Sequence, residues 1–197
     1  SGDGNTLNNA GEMTAGSTDS TKPSTGVDVA GNNNTINQSG KMVVGDFSTG
    51  LNVTGKSNTI NLASEEMSIT GQQATGVNVS GEANTVTLTG NMVVDKDQTS
   101  PLAADNFYKA STGINVNGSG NTVVLDGHLQ VVADTEVAGQ GYANSPGSQE
   151  NIQGLVVTGD NNRVDLLGGV TLTGESDQIA DTAAGDALAN QRKDAHT

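Results

Sequence analysis

Cysteine and tryptophan do not occur in this chain of 197 residues, and aromatic side chains make up 2% of it. Without cysteine, the chain forms neither disulfide bonds nor thiolate metal sites. Hydrophobic residues account for 32% of the sequence, whereas typical globular domains contain about 45–50%. A conventional globular core is therefore hard to build. No run approaches the roughly 20 apolar residues of a membrane-spanning helix, and we expect no signal peptide in the segment that begins Ser1-Gly2-Asp3.

Basic residues are also scarce, because 8 Lys and Arg face 22 Asp and Glu, which gives a formal net charge of −14. A negative field of this size repels phosphate groups, so nucleic acids and anionic membranes are poor partners. We expect no nucleic-acid partner. Low apolar content with high net charge is typical of disorder, unless a repeated pattern lets neighbouring units bury their apolar faces together.

Such a pattern is present. A phrase of Thr-Gly, an apolar residue, a polar residue and valine returns with little change, and in the fifth copy it reads Gln153-Gly154-Leu155-Val156-Val157. Two residues after each phrase comes a glycine, and an asparagine follows three residues later. The phrases occupy 25–29, 49–53, 75–79, 112–116 and 153–157, the glycines are Gly31, Gly55, Gly81, Gly118 and Gly159, and the asparagines are Asn34, Asn58, Asn84, Asn121 and Asn162.

Two further apolar pairs complete each unit, and within each pair the apolar residues lie two positions apart. Ile60 with Leu62 is an example of the second pair, and Met67 with Ile69 of the third. This spacing is the period of a strand with alternate side chains facing inward. Gln38 replaces the second apolar residue in one unit and is a weak spot in the pattern.

Three short strands per unit bury their faces only if the units stack. The sequence therefore predicts an all-β fold, a right-handed parallel β-helix with three short strands per turn and long loops on one edge. About five full turns are expected, preceded by a partial turn that carries Asn5 and Met13. At about 4.8 Å per turn, five turns give a rod of roughly 24 Å. The coil is expected over residues 1–172, with 173–197 as a loop, a short helix or a cap.

The recurring asparagines favour a structural interpretation over a ligand site. Asparagine tolerates left-handed backbone and bonds local backbone at corners, and stacked amides can form a ladder. We expect such a structural ladder at Asn34, Asn58, Asn84, Asn121 and Asn162. The methionines lie where Leu129 and Val170 lie in later units, so core packing explains them better than a soft metal site.

Variation in length is confined to the connection between the third strand and the next phrase. Residues 95–111 and 132–152 are long insertions there, and loops on one edge of a solenoid often form a binding face. Three of the four aromatic residues, Phe107, Tyr108 and Tyr142, lie in these two insertions, and Phe47 lies in the short connection 45–48 at the same corner. The candidate contact residues are Leu102, Phe107, Tyr108 and Tyr142; alternatively, they form a small satellite core over the coil. The same loops are rich in carboxylates, but their spacing fits neither an EF-hand loop nor the nonapeptide of calcium-binding β-rolls, so we expect a solvated acidic edge and no metal site.

Enzymatic residues do not converge in the sequence. His128 and His196 are the two histidines, and neither adjoins a nucleophile motif. Arg163 beside Asp165 is the nearest approach to a catalytic constellation, and a surface role suits it better. We therefore expect no enzymatic activity and no cofactor.

The unit Thr-Gly-(Val/Leu/Ile)-Asn-Val-x-Gly-x-x-Asn-Thr-(Val/Ile)-x-Leu-x-Gly-x-Met-x-Val, carried by residues 25–172, resembles the β-helical passenger domains of Gram-negative autotransporter adhesins and related large surface proteins. The resemblance implies a rod displayed on the bacterial cell surface or secreted. It also implies attachment to a host cell-surface or matrix protein or glycan, or to the same protein on another cell. A passive stalk, or a coil that binds or cleaves polysaccharide, is the alternative function. We expect the chain to be monomeric or weakly self-associating.

The register makes Val79 an inward residue of a central turn. Replacing it with aspartate should unfold that turn, because an unpaired buried charge costs several kcal/mol. Circular dichroism during thermal and urea unfolding measures the effect. A Val79→Asp variant that stayed soluble and unfolded cooperatively like the parent chain would contradict the assigned register.

Overall fold

The chain forms a right-handed parallel β-helix. The computed structural model describes residues 1–71, 73–95, 111–132 and 153–173. These residues form 17 strands in three parallel sheets and contain no helix. The chain visits the three sheets in a fixed order, so each visit to one sheet adds a strand beside the previous one. The predicted fold class, with three strands per turn, is confirmed.

Sheets A and B each contain six strands, and sheet C contains five. Sheet A consists of β1 (Thr6–Asn9), β4 (Thr35–Gln38), β7 (Thr59–Leu62), β10 (Thr85–Thr89), β13 (Thr122–Asp126) and β16 (Arg163–Leu166). Sheet B consists of β2 (Met13–Ala15), β5 (Met42–Val44), β8 (Glu66–Ile69), β11 (Asn91–Asp95), β14 (Leu129–Val132) and β17 (Val170–Thr173). Sheet C consists of β3 (Ser24–Val29), β6 (Ser48–Val53), β9 (Thr75–Val79), β12 (Thr112–Asn117) and β15 (Gln153–Thr158).

Equivalent positions of the repeat stack directly on one another. Thr49 pairs with Thr75, and Val79 pairs with Val116. The second unit contains one extra residue before its third strand, yet Met67 still pairs with Met42. The corner before the third strand accommodates the extra residue. The pairing of the strands is unchanged, because it depends on the inward side chains.

The core is a narrow apolar column enclosed by the three sheets. Val79, Leu88 and Val94, taken as inward residues from the sequence pattern, are all buried. The methionines stack in one column, from Met13 through Met42 and Met67 to Met92. The latter three are buried, so they serve core packing as expected. A cavity of about 10 Å³ lies among Leu62, Leu88 and Leu125, which is about the room one water needs.

Gln38, the weak spot of the pattern, is a buried polar residue with its bonds satisfied. Its Oε1 accepts from Asn9 Nδ2 at 2.6 Å, and its Nε2 donates to the carbonyls of Gly11 at 2.9 Å and Gly40 at 3.2 Å. Asn9 occupies the equivalent position one turn earlier. Asn9 and Gln38 thus stand where later turns carry leucine, and the first amide donates to the second.

A column of glycines runs along the corner between sheets C and A. A Cβ added to Gly55 would lie 1.7 Å from the carbonyl oxygen of Gly31, and one on Gly81 would lie 1.8 Å from that of Gly55. Both contacts are with backbone atoms, so no rotamer change relieves them. Glycine recurs at this corner because successive turns approach too closely for any side chain.

Replacing Gly81 with alanine should therefore destabilise the coil by about 3 kcal/mol or more, because the turns must separate to admit the methyl group. The matched control is Gly16→Ala, since a Cβ on Gly16 meets nothing within 4 Å. Urea unfolding followed by circular dichroism compares the two variants. Equal unfolding midpoints for both would show that the turns are less closely stacked than described.

Candidate functional site

The two long insertions leave the coil at one corner, between sheets B and C. The first begins after β11 and returns at β12, and the second begins after β14 and returns at β15. The predicted contact residues Leu102, Phe107, Tyr108 and Tyr142 lie outside the described residues, as does the tail beyond β17.

The described part of this corner is tied to the coil by hydrogen bonds. The buried Ser111 hydroxyl donates to the carbonyl of Gly71, and the N–H of Ala74 donates to the same hydroxyl at 3.4 Å. Phe47 lies at the same corner with a positive φ of 50° and is half-buried. Its carbonyl accepts from the Ser24 N–H at 3.2 Å. The corner therefore holds the return points of the loops in fixed positions.

A hydrogen-bonded ladder of asparagines runs along the corner between sheets C and A. Each backbone N–H and each side-chain Nδ2 donates to Oδ1 of the ladder asparagine in the next turn, at 2.8–3.1 Å. The second hydrogen of Nδ2 is used as well: Asn84 donates to the Gly55 carbonyl at 2.9 Å, and Asn121 to that of Gly81 at 2.8 Å. Asn34, Asn58, Asn84 and Asn121 are buried, so these bonds replace water at the corner.

The left-handed residue at this corner is the one before each ladder asparagine. Positive φ values of 52–68° occur at Gly4, Asn33, Ser57, Ala83, Gly120 and Asn161. Tolerance of left-handed backbone therefore does not explain the recurring asparagines, although the sequence analysis gave it as one reason for them. Their amides are required because each must donate and accept along the stack.

The outer face of sheet C carries a second row of amides. Asn52 Nδ2 donates to Asp28 Oδ1 at 2.7 Å, Asn78 to Asn52 Oδ1 at 2.8 Å, and Asn115 to Asn78 Oδ1 at 2.8 Å. In the next turn Val156 ends the row. Beside it runs a column of threonines in register: Thr25, Thr49, Thr75 and Thr112. These partly exposed asparagines recur at the fourth position of the phrase, a signal that the sequence interpretation left unused.

Sheet A presents a related outer face. The first residues of its strands form a column of threonines in register from Thr35 to Thr122, and Arg163 interrupts it. Two positions further along each strand, Asn61 donates to Asn37 at 2.9 Å and Asn37 donates to Asn8 at 2.8 Å. This row gives way to Thr87 and Val124, so its amides span three turns.

Charged side chains are concentrated at the corners of the coil. In the five strands of sheet C, Asp28 is the single charged residue. Lys56 and Glu82 form an ion pair at 2.7 Å on the corner between sheets C and A. Further charged residues outside the strands are Asp3, Glu12, Asp19, Lys22, Lys41, Asp46, Glu65 and Asp160. Sheet C thus presents a nearly uncharged face on a strongly acidic chain.

His128, the histidine within the repeat, is fixed by two hydrogen bonds to the following turn. Its Nδ1 contacts the Gly168 carbonyl at 3.0 Å, and its Nε2 contacts Thr171 Oγ1 at 2.8 Å. Both ring nitrogens therefore have partners within the coil. This arrangement suits a side chain that joins two turns.

Arg163 and Asp165 pair with each other on β16. Arg163 Nε lies 2.9 Å from Asp165 Oδ2, and its terminal nitrogen lies 2.8 Å from the same oxygen. The hydrogen bond and the charge of Asp165 raise the pKa of Arg163 above its ordinary value. The pair is exposed to solvent, so it acts as a surface ion pair on one strand.

Within residues 1–71, 73–95, 111–132 and 153–173, no group of three or more His, Cys, Asp or Glu side chains is placed to hold a metal ion. In the same ranges, no helix is long and apolar enough to cross a membrane. No protein-family model matches the chain, and no solved structure matches it significantly.

The ladder generates a prediction at Asn84. Replacing it with aspartate should cost about 3 kcal/mol at neutral pH, because a buried carboxylate would face the acceptors Asn121 Oδ1 and the Gly55 carbonyl. One carboxyl oxygen keeps the two donors of Asn58, but burial and the two acceptors that face the other oxygen raise the pKa of the folded carboxyl above its unfolded value of about 3.9. The destabilisation is therefore smallest below about pH 4 and grows as the pH rises.

Asn61→Asp is the control for this variant, since Asn61 belongs to the exposed row on sheet A. Urea midpoints at several pH values compare the two. A loss of stability that is the same in both variants, or that does not change with pH, would contradict the role of the buried ladder.

Proposed function

We propose that this chain is a non-enzymatic adhesive segment of a rod that is displayed on a bacterial surface or secreted. The coiled fold, the acidic composition and the repeat that resembles autotransporter passenger domains support this proposal. Contact is made through the outer face of sheet C, and the principal partner is the same face on another copy of the protein.

The observation that carries the proposal is the fixed row of amides on sheet C. Asn52 and Asn78 each use one of two N–H donors and one of two oxygen lone pairs within the row. Each therefore keeps one donor and one acceptor for a partner. Because the row already fixes these side chains, little rotamer freedom is lost when a partner binds. Single contacts of this kind are weak, but their repetition along a rod makes attachment multivalent.

Two features favour a second copy as the partner. A row of alternating donors and acceptors is complementary to itself in a two-fold interface, and only another copy is certain to have the same spacing of about 4.8 Å per turn. The face also lacks charge apart from Asp28, so it is the surface where two chains of net charge −14 approach with the least repulsion.

A passive stalk is the second candidate function. It is favoured by the same ladders, because side chains that bond to the next turn stiffen a rod without any partner. In that case the sheet C face would be inert and the segment would project another domain from the cell.

A bead assay separates these functions. Beads coated with the chain should aggregate, and aggregation should increase with salt concentration. Salt weakens the repulsion between the acidic chains, because the Debye screening length falls from about 10 Å at 0.1 M to about 3 Å at 1 M. The variant Thr49→Glu with Thr75→Glu places two charges on the sheet C face and should reduce aggregation at least about tenfold, an effect of about 1.4 kcal/mol. The control, Val43→Glu with Val93→Glu, places two charges on the outer face of sheet B.

The possible outcomes are distinct, provided that circular dichroism shows all variants folded. Equal loss in both variants would contradict the assignment to sheet C. A third variant, with residues 95–111 and 132–152 replaced by short turns, tests the contact residues expected in the loops. Binding to host cells, matrix proteins or glycans that depends on these loops would assign adhesion to them instead. If no form binds or aggregates, the segment is a stalk.

A further inference from the structure

The outer face of sheet A carries a straight file of hydroxyl groups. The first residue in each of the first five strands of this sheet is a threonine, and the five are in register: Thr6, Thr35, Thr59, Thr85 and Thr122. At about 4.8 Å per turn, the file is roughly 19 Å long. Within the described part of the chain, no hydrogen bond joins these hydroxyls to another protein group. Each hydroxyl therefore keeps its donor and its acceptors for a ligand.

Fixed amides lie beside this file. Two positions further along the strands, Asn61 donates to Asn37 and Asn37 donates to Asn8, each through one N–H of its amide. The second N–H of Asn37 and of Asn61 can still donate to a ligand. The threonines add little flexibility, because the branched Cβ restricts rotation about χ1. The polar groups of this face are thus held in place, and little freedom is lost when a ligand binds.

The composition of this face excludes most classes of partner. Among the outward side chains of β4, β7, β10 and β13, Asp126 is the single charged one and Val124 is the single large apolar one. Protein interfaces depend on buried aromatic or aliphatic anchors, so this face suits a protein partner poorly. Anionic polymers are repelled by the net charge of −14. A neutral ligand rich in hydroxyl groups remains, because it can both donate to and accept from the threonines and asparagines.

The regular repeat of the face indicates a ligand that repeats as well. Each turn presents a threonine hydroxyl at the same spacing, so a polymer of identical sugar units can make similar contacts at several turns. A β-linked glucan is an extended ribbon that can follow a straight file, whereas an α-linked glucan curls away from it. We infer that the outer face of sheet A binds a neutral β-linked glucan along the file from Thr6 to Thr122.

This inference does not depend on the proposed adhesion, because it concerns another face and another class of partner. Native electrophoresis of the full chain through gels that contain soluble β-glucan tests it. The chain should be retarded by β-glucan, but neither by soluble starch, which is an α-linked glucan, nor by alginate, which is acidic. No retardation by β-glucan, or equal retardation by all three polymers, would overturn the inference.

Paired substitutions locate the binding face. Thr59→Val with Thr85→Val removes two hydroxyls from the centre of the file and keeps the branched shape, so the fold should be unchanged by circular dichroism. We expect the dissociation constant for β-glucan to rise at least about tenfold. The matched control, Thr49→Val with Thr75→Val, makes the same change in the threonine column of sheet C and should bind like the parent chain. Equal loss of binding in the two pairs would overturn the assignment to sheet A.

A conservative pair separates the hydroxyls from the shape of the side chain. Thr59→Ser with Thr85→Ser keeps both hydroxyls and removes the methyl groups. This variant should bind β-glucan within about threefold of the parent chain, since its hydrogen bonds remain available. A serine pair that binds as weakly as the valine pair would overturn the inference, because the file of hydroxyls would then not be what the glucan contacts.

Discussion

The spacing of about 4.8 Å between hydrogen-bonded strands is the constraint on which this coil depends. Each strand residue of the described turns lies at that distance from the residue at the equivalent position of a neighbouring turn. Where backbone meets backbone, at Gly55 and Gly81, only glycine fits. Where the same polar side chain is buried in successive turns, it must form hydrogen bonds with its equivalent in the next turn. An amide can do so because it carries both a donor and an acceptor. The Asn58 and Asn84 amides show this arrangement.

The same rule explains where acidic residues are placed. A row of carboxylates would repel itself and could donate no hydrogen bonds, so carboxylates cannot repeat along a face. Asp28 is the instructive exception, because it begins the sheet C row and has only to accept from Asn52. Asp165 pairs with Arg163 on its own strand, and most other acidic residues in the described part of the chain lie at corners. A highly charged chain thereby keeps an uncharged face.

Most of the fold could be predicted from the sequence, because inward residues two positions apart and a repeated phrase specify strands, stacking and register together. The interior position of Val79 and the methionine column follow from that pattern alone. The recurring asparagines led us to expect a buried ladder, but the hydrogen bonds of the outer rows could not be predicted, since they depend on the orientation of side chains at a fixed separation. For this reason the row of hydrogen bonds through Asn52 and Asn78 was not predicted. The left-handed backbone conformation of Ala83 was not predicted either.

The hydrogen bond between Asn9 and the buried Gln38 has a consequence for how the chain finds its fold. The stacked turns have similar sequences, so during folding a strand could pair with the equivalent strand two turns away in place of the next one. If β1 paired with β7 in place of β4, Asn9 would face Leu62, and Oε1 of Gln38, which is buried, would lose its donor. Such an unsatisfied group costs about 1–3 kcal/mol. The pair of amides therefore favours the observed register of β1 on β4.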